Sequence, residues 1–185
     1  MTATEAFKIA LKAKKRLPEL ESIIMQDAGW TYYYACDIIK DRWTEAEPVI
    51  MQSAEYAYTY ACNVIKGRWQ EAEPIIMQDA VWACFYAADI IKGRWLEAEP
   101  TIMRYSNWSY AYAQNVIKGR WSEAEENIAK SEHRDKYANE FFDEPVITKE
   151  QVDIIQWERK NLQGYFAPVS LFENKVSLLD MMIHY

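Results

Sequence analysis

The chain has 185 residues, half of them hydrophobic and 15% aromatic, enough apolar material for a core and too much for a disordered tract. A net charge of −7 weighs against general affinity for nucleic acid, which rests on neutralising phosphates. Thirteen Tyr and eight Trp outnumber six Phe, which suits half-buried places where a ring packs and a polar tip stays wet.

Residues 1–16 carry Lys8, Lys12, Lys14, Lys15 and Arg16 against Glu5, a net of +4. They read as a solvated end-cap helix, with an arm for an acidic partner as the alternative.

From Lys14 onward the sequence repeats every 26 residues. KDRWTEAEPVIMQ runs from Lys40, KGRWQEAEPIIMQ from Lys66, KGRWLEAEPTIMR from Lys92 and KGRWSEAEENIAK from Lys118. An eroded copy, KKRLPELESIIMQ, runs from Lys14 with Leu17 in the place of Trp43, Trp69, Trp95 and Trp121. Between the blocks lie WTYYYACDIIK, YAYTYACNVIK, WACFYAADIIK and WSYAYAQNVIK.

Each unit predicts two short helices. Pro48, Pro74 and Pro100 belong at the first position of helix one, because proline lacks an N–H and crowds the preceding turn. The TEA or QEA before them then forms a separate 3₁₀-like turn, with an uninterrupted helix distorted in its first turn as the alternative. Helix two begins at the N-caps Ser53, Asp79 and Ser106. Tyr56, Ala57, Tyr60, Ala61, Val64 and Ile65 form its apolar stripe. Gly67, Gly93 and Gly119 fit the left-handed position after the helix, and the lysine before each complements the helix dipole. Small residues Ala57, Ala61, Ala83 and Ala87 allow close helix approach.

One unit cannot bury its own stripe, so neighbours must stack. The expected fold is all-α: a short right-handed α-solenoid of about five two-helix repeats over residues 1–142, followed by a non-repeat helical cap over 143–185. HRDKYANEFF from His133 keeps an echo of helix two, one residue out of phase through Tyr137 and Ala138.

The KGRWxEAEPxIM…YAxxVIKGRW unit resembles short tandem repeats of uncharacterised bacterial and bacteriophage proteins, over residues 6–142. That resemblance brings no assigned activity. More loosely, the short helical unit is similar to the variant leucine-rich repeat, from which only the solenoid architecture carries over.

No catalytic constellation assembles. His133 and His184 lack partners at metal-binding helical spacing, so neither a metal nor a cofactor is expected. The glutamate pairs Glu45/Glu47, Glu71/Glu73, Glu97/Glu99 and Glu123/Glu125 recur in one environment. Acid–base catalysis needs two different ones. They read as partners of Arg42, Arg68, Arg94 and Arg120 and as caps of the first helices. With Lys40, Lys66, Lys92 and Lys118, those arginines are the alternative site for a polyanion or nucleotide, although the adjacent glutamates cancel their field. Asp37, Asn63, Asp89 and Asn115 form a mid-helix ladder, read as hydrogen-bonding to the next repeat.

The drifting columns of helix two hold the sharper candidates: Gly29/Glu55/Val81/Asn107, Tyr33/Thr59/Phe85/Ala111 and Cys36/Cys62/Ala88/Gln114. Spaced four and three apart, they should share an outward face, with Tyr33, Thr59, Phe85, Ala111, Glu55, Asn107 and Gln114 as the partner-binding residues.

Three cysteines without metal-ligand spacing fit a reducing compartment, and Cys36 and Cys62, ~8–10 Å apart on packed helices, are too distant for a disulfide. No apolar run reaches the ~18 residues of a membrane span and no secretory h-region is present, so a cytoplasmic location is expected. The expected function is a non-catalytic protein–protein interaction module, in the phage-type reading one that binds and occludes a host protein. The alternatives are a small-ligand or polyanion binder and a self-assembling homo-oligomer.

Overall fold

In the computed structural model, residues 1–142 are described, and among them every regular element is helical. The helices pack in series as an all-α helical repeat. The chain divides into two compact units, Met1–Arg104 and Tyr105–Tyr185. The boundary falls inside the repeat array, while the expected cap over 143–185 lies outside the described residues.

The first unit opens with α1 (Ala3–Ala13), which packs on α2 (Pro18–Ile24) and α3 (Ala28–Tyr34). Thr2 and Glu5 close a capping box at its start, so two of the helix's orphan donors are satisfied reciprocally. Ala6, Phe7 and Ala10 form its buried face and the lysines lie in solvent, as an end-cap helix requires.

The repeats then alternate α4 (Glu47–Ile50), α5 (Ala54–Tyr60), α6 (Glu73–Ile76), α7 (Ala80–Tyr86) and α8 (Glu99–Ile102). The unit starting at Tyr105 holds α9 (Ser106–Tyr112), α10 (Glu125–Ile128) and α11 (Arg134–Phe141). The separate turn before helix one is a 3₁₀ turn at Thr44–Ala46, Gln70–Ala72 and Ser122–Ala124. The glutamate, rather than the proline, holds the first helical position; Ala46, Ala72 and Ala98 are the N-caps, without a side-chain hydrogen bond.

Helix two departs from the sequence reading at both ends. Ser53 and Asp79 do cap α5 and α7, but Tyr105 holds the cap position of α9 and Ser106 is already helical. Tyr105 has no short acceptor side chain, and α9 lacks the cap bond. At the far end each second helix widens into a π turn, at Ala35–Ile39, Ala61–Ile65, Ala87–Ile91 and Ala113–Ile117. The residue that turns left-handed is the lysine, not the glycine: Lys40, Lys66, Lys92 and Lys118 have φ of 59°, 57°, 59° and 56°. Their N–H groups close the π ring on Ala35, Ala61, Ala87 and Ala113. The next N–H, of Gly67, Gly93 or Gly119, reaches the same carbonyl. A Cβ on any of those glycines would meet open space, which explains why Asp41 stands there in the first clear copy without penalty.

Within each unit the core repeats one kind of layer. Trp43, Trp69, Trp95 and Trp121 are at most 2% exposed, and Tyr34, Tyr60, Tyr86 and Tyr112 are fully buried. The small residues Ala57, Ala61, Ala83 and Ala87 are buried too, so the second helices of Met1–Arg104 approach closely.

Candidate functional site

Two ladders run through the repeats, one buried and one at the surface. The buried ladder is built on tyrosine. Tyr60 packs its ring on Trp69 at 5.1 Å and accepts a hydrogen bond from the Trp43 N–H at 2.7 Å, so one side chain ties two layers. Tyr34 does the same for Leu17 and Trp43, and Tyr86 for Trp69 and Trp95. Tyr86 also donates to Glu73 Oε1 at 3.2 Å. Glu73 in turn takes both Nε and Nη2 of Arg68, and Arg42–Glu47, Arg94–Glu99 and Arg120–Glu125 are bidentate in the same way. Buried Glu47, Glu73 and Glu99 are thereby satisfied as structural ions.

These pairs decide what the Lys/Arg ladder has left to offer. Every guanidinium of Arg42, Arg68, Arg94 and Arg120 is committed to the second glutamate of its EAE pair. Lys40, Lys66, Lys92 and Lys118 are exposed, and each block also carries one exposed glutamate, Glu45, Glu71, Glu97 or Glu123, five residues further along the chain. The polyanion site of the sequence reading is thus close to neutral repeat by repeat.

The Asp/Asn ladder bonds to the preceding repeat, not the next. Asn63 Nδ2 donates to Tyr32 Oη at 2.7 Å, and Tyr58 Oη donates to Asp89 Oδ2 at 2.6 Å. Thirty-one residues separate each pair, and at the corresponding sequence places for Asp37 and Asn115 stand Ala6 and Cys84, neither with a hydroxyl. Asn115 donates instead to the Ala111 carbonyl of its own helix. In the second unit Tyr110 Oη and Gln114 Nε2 both reach Glu140, the equivalent bond one residue out of phase.

The surface ladder is aromatic. Phe7, Trp30, Tyr33, Tyr32 and Tyr56 form one cluster, with Phe7–Trp30 centroids at 5.1 Å and Tyr32–Tyr56 at 5.8 Å. Tyr58, Trp82 and Phe85 form another, Tyr58 stacking on Trp82 at 5.5 Å and on Phe85 at 6.0 Å. Tyr33 at 43% and Phe85 at 39% are the most exposed rings of these clusters. The column Trp30, Tyr56, Trp82 that supports them is half-buried; Tyr56 was read only as part of the apolar stripe, and the signal for the whole column is an aromatic residue in every copy.

Of the expected partner-binding residues, Tyr33, Glu55, Phe85, Asn107 and Gln114 are exposed, while Thr59 and Ala111 are half-buried. The three drifting columns do not make one uniform face. Gly29 is buried, because a Cβ there would come within 2.7 Å of Tyr56 Oη. Cys36, Cys62 and Ala88 lie in the π turns and are half-buried.

Burial raises the thiols of Cys36, Cys62 and Cys84, the last to about 11, so none is a ready thiolate. His133 stacks on Tyr110 at 4.9 Å, and among the described residues no group of three His, Cys, Asp or Glu is placed to hold a metal ion. No family model, curated protein or solved structure matches the chain. Among the described residues no helix is long and apolar enough to cross a membrane.

Proposed function

We propose that the chain is a non-catalytic interaction module whose partner is another protein, engaged through the outer stripe of the second helices in Met1–Arg104. The observation that carries this reading is the pair of aromatic clusters that expose Tyr33 and Phe85. Large rings held in place by stacked neighbours lose little entropy on binding and supply contact area, which is what interface anchors do. The resemblance to phage-type repeats extends the reading to a factor that occludes a host protein in a cytoplasm. The polyanion reading is weaker, since the arginines are already paired.

The test is affinity capture from the source cell with the wild-type chain and with the Y33S/F85S double variant. Both rings are partly exposed, so the variant should keep its helical circular dichroism while losing the captured protein. A folded double variant that retains the same partner would sink the reading. A complex with nucleic acid that weakens steeply with salt would favour the polyanion alternative.

A further inference from the structure

The second helices of Met1–Arg104 carry acids and no bases. Residues 27–39, 53–65 and 79–91 contain Asp27, Asp37, Glu55, Asp79 and Asp89, and neither Lys nor Arg. Lys40, Lys66 and Lys92 come only beyond the helices, at the left-handed residue where the chain reverses toward the Arg–Glu pairs. Asp27 and Asp79 serve as N-caps, whereas exposed Asp37 and Asp89 stand about one turn after Tyr33 and Phe85.

At Phe85 the adjacency is direct. Tyr58 stacks on that ring at 6.0 Å while its hydroxyl, at 2.6 Å, holds one oxygen of Asp89. Asp89 and Phe85, four residues apart on one helix, both exposed and both in contact with Tyr58, therefore share one small patch. An aromatic face beside a carboxylate is the surface a guanidinium fits, because it stacks flat on the ring and donates in plane to the oxygens. The same surface repels phosphate, whether of a lipid headgroup or of a nucleic acid.

We infer that the occupant of this stripe is an arginine-bearing segment of the partner protein, with one cation at Phe85/Asp89 and a second at Tyr33/Asp37. This rests on the interaction-module reading and names the partner's chemistry. Two repeats separate the sites, roughly 20 Å if packed second helices lie about 10 Å apart. An extended segment spans that with about six residues between its arginines.

Selection of random 12-residue peptides on the full chain tests it. The expected outcome is enrichment of peptides with net positive charge, with arginine preferred over lysine. Binding of the selected peptides should fall about tenfold in Y33S/F85S and at least about threefold in D37N/D89N, with a shallower salt dependence in the latter. The aspartate variant keeps an acceptor for Tyr58, so it reports charge rather than folding. Enrichment of acidic or uncharged peptides whose binding is lost in Y33S/F85S would overturn the arginine assignment and leave the interaction module standing. Peptides that bind wild type and Y33S/F85S alike would overturn both. A wild-type chain whose mass in size exclusion falls from dimer to monomer in Y33S/F85S would assign the stripe to a second copy and overturn the arginine partner.

Discussion

Tyr60 and its equivalents show how much one oxygen atom does in this fold. Replacing Tyr60 by Phe removes the acceptor of the buried Trp43 backbone N–H. The expected cost is about 1–3 kcal/mol, the penalty for an unsatisfied buried donor, read from urea unfolding. An unchanged midpoint would mean that the bond contributes nothing net. The same hydroxyls make stability fall at alkaline pH. Burial raises Tyr60, Tyr86 and Tyr137 from 10.0 to about 12, so the folded form holds its protons where the unfolded chain releases them. Stability from these groups is complete below pH 10 and is lost as pH rises toward about 12. Urea midpoints across that window should fall, and fall less in the Y60F/Y86F variant.

At the level of the element, the end of helix two is the informative place. Lys66 sits in the left-handed region while Gly67 beside it does not need to be glycine. Lys66→Gly should therefore stabilise by up to about 1 kcal/mol. Gly67→Ala should be neutral or stabilising by about 0.4–1 kcal/mol, since a Cβ there meets nothing. A Gly67→Ala loss of more than about 1 kcal/mol in thermal or urea unfolding would show that the glycine is needed after all. The sequence made glycine the natural candidate because the lysine–glycine pair straddles the helix end and composition alone favours glycine for positive φ. What moved the turn back one residue is the π ring, and a widened ring has no composition signal. By contrast the two-helix unit, the 3₁₀ turn and the buried alanines were all legible, because proline, small residues and 26-residue spacing each constrain the backbone directly. The site was half legible. Exposed Tyr33 and Phe85 followed from drift between copies, but buried Gly29 drifted for a different reason, its contact with Tyr56. A column that varies can be answering a neighbour as well as a partner.

Across the molecule, the repeat makes the layers of Met1–Arg104 interchangeable. Deleting residues 40–65, one full period, joins Ile39 to Lys66 and puts Tyr32 at the 31-residue distance from Asp89 that Tyr58 occupies now. The shortened chain should fold cooperatively, with less helix by circular dichroism and a lower thermal midpoint, because it keeps the remaining interfaces and loses one layer. Loss of cooperative unfolding would contradict a modular stack. Removal of residues 40–52 alone, half a period, should abolish folding by breaking the Trp–Tyr register.

The Trp43–Tyr60 bond has a further consequence during synthesis. Trp43 gains its acceptor 17 residues later, Trp69 likewise, and Trp121 after 16. A chain leaving the ribosome thus always trails one open turn, its backbone donor waiting for a tyrosine still in the exit tunnel. Each of these donors is closed only by a residue downstream of it, so a chain truncated between the tryptophan and its tyrosine would leave that donor without its acceptor.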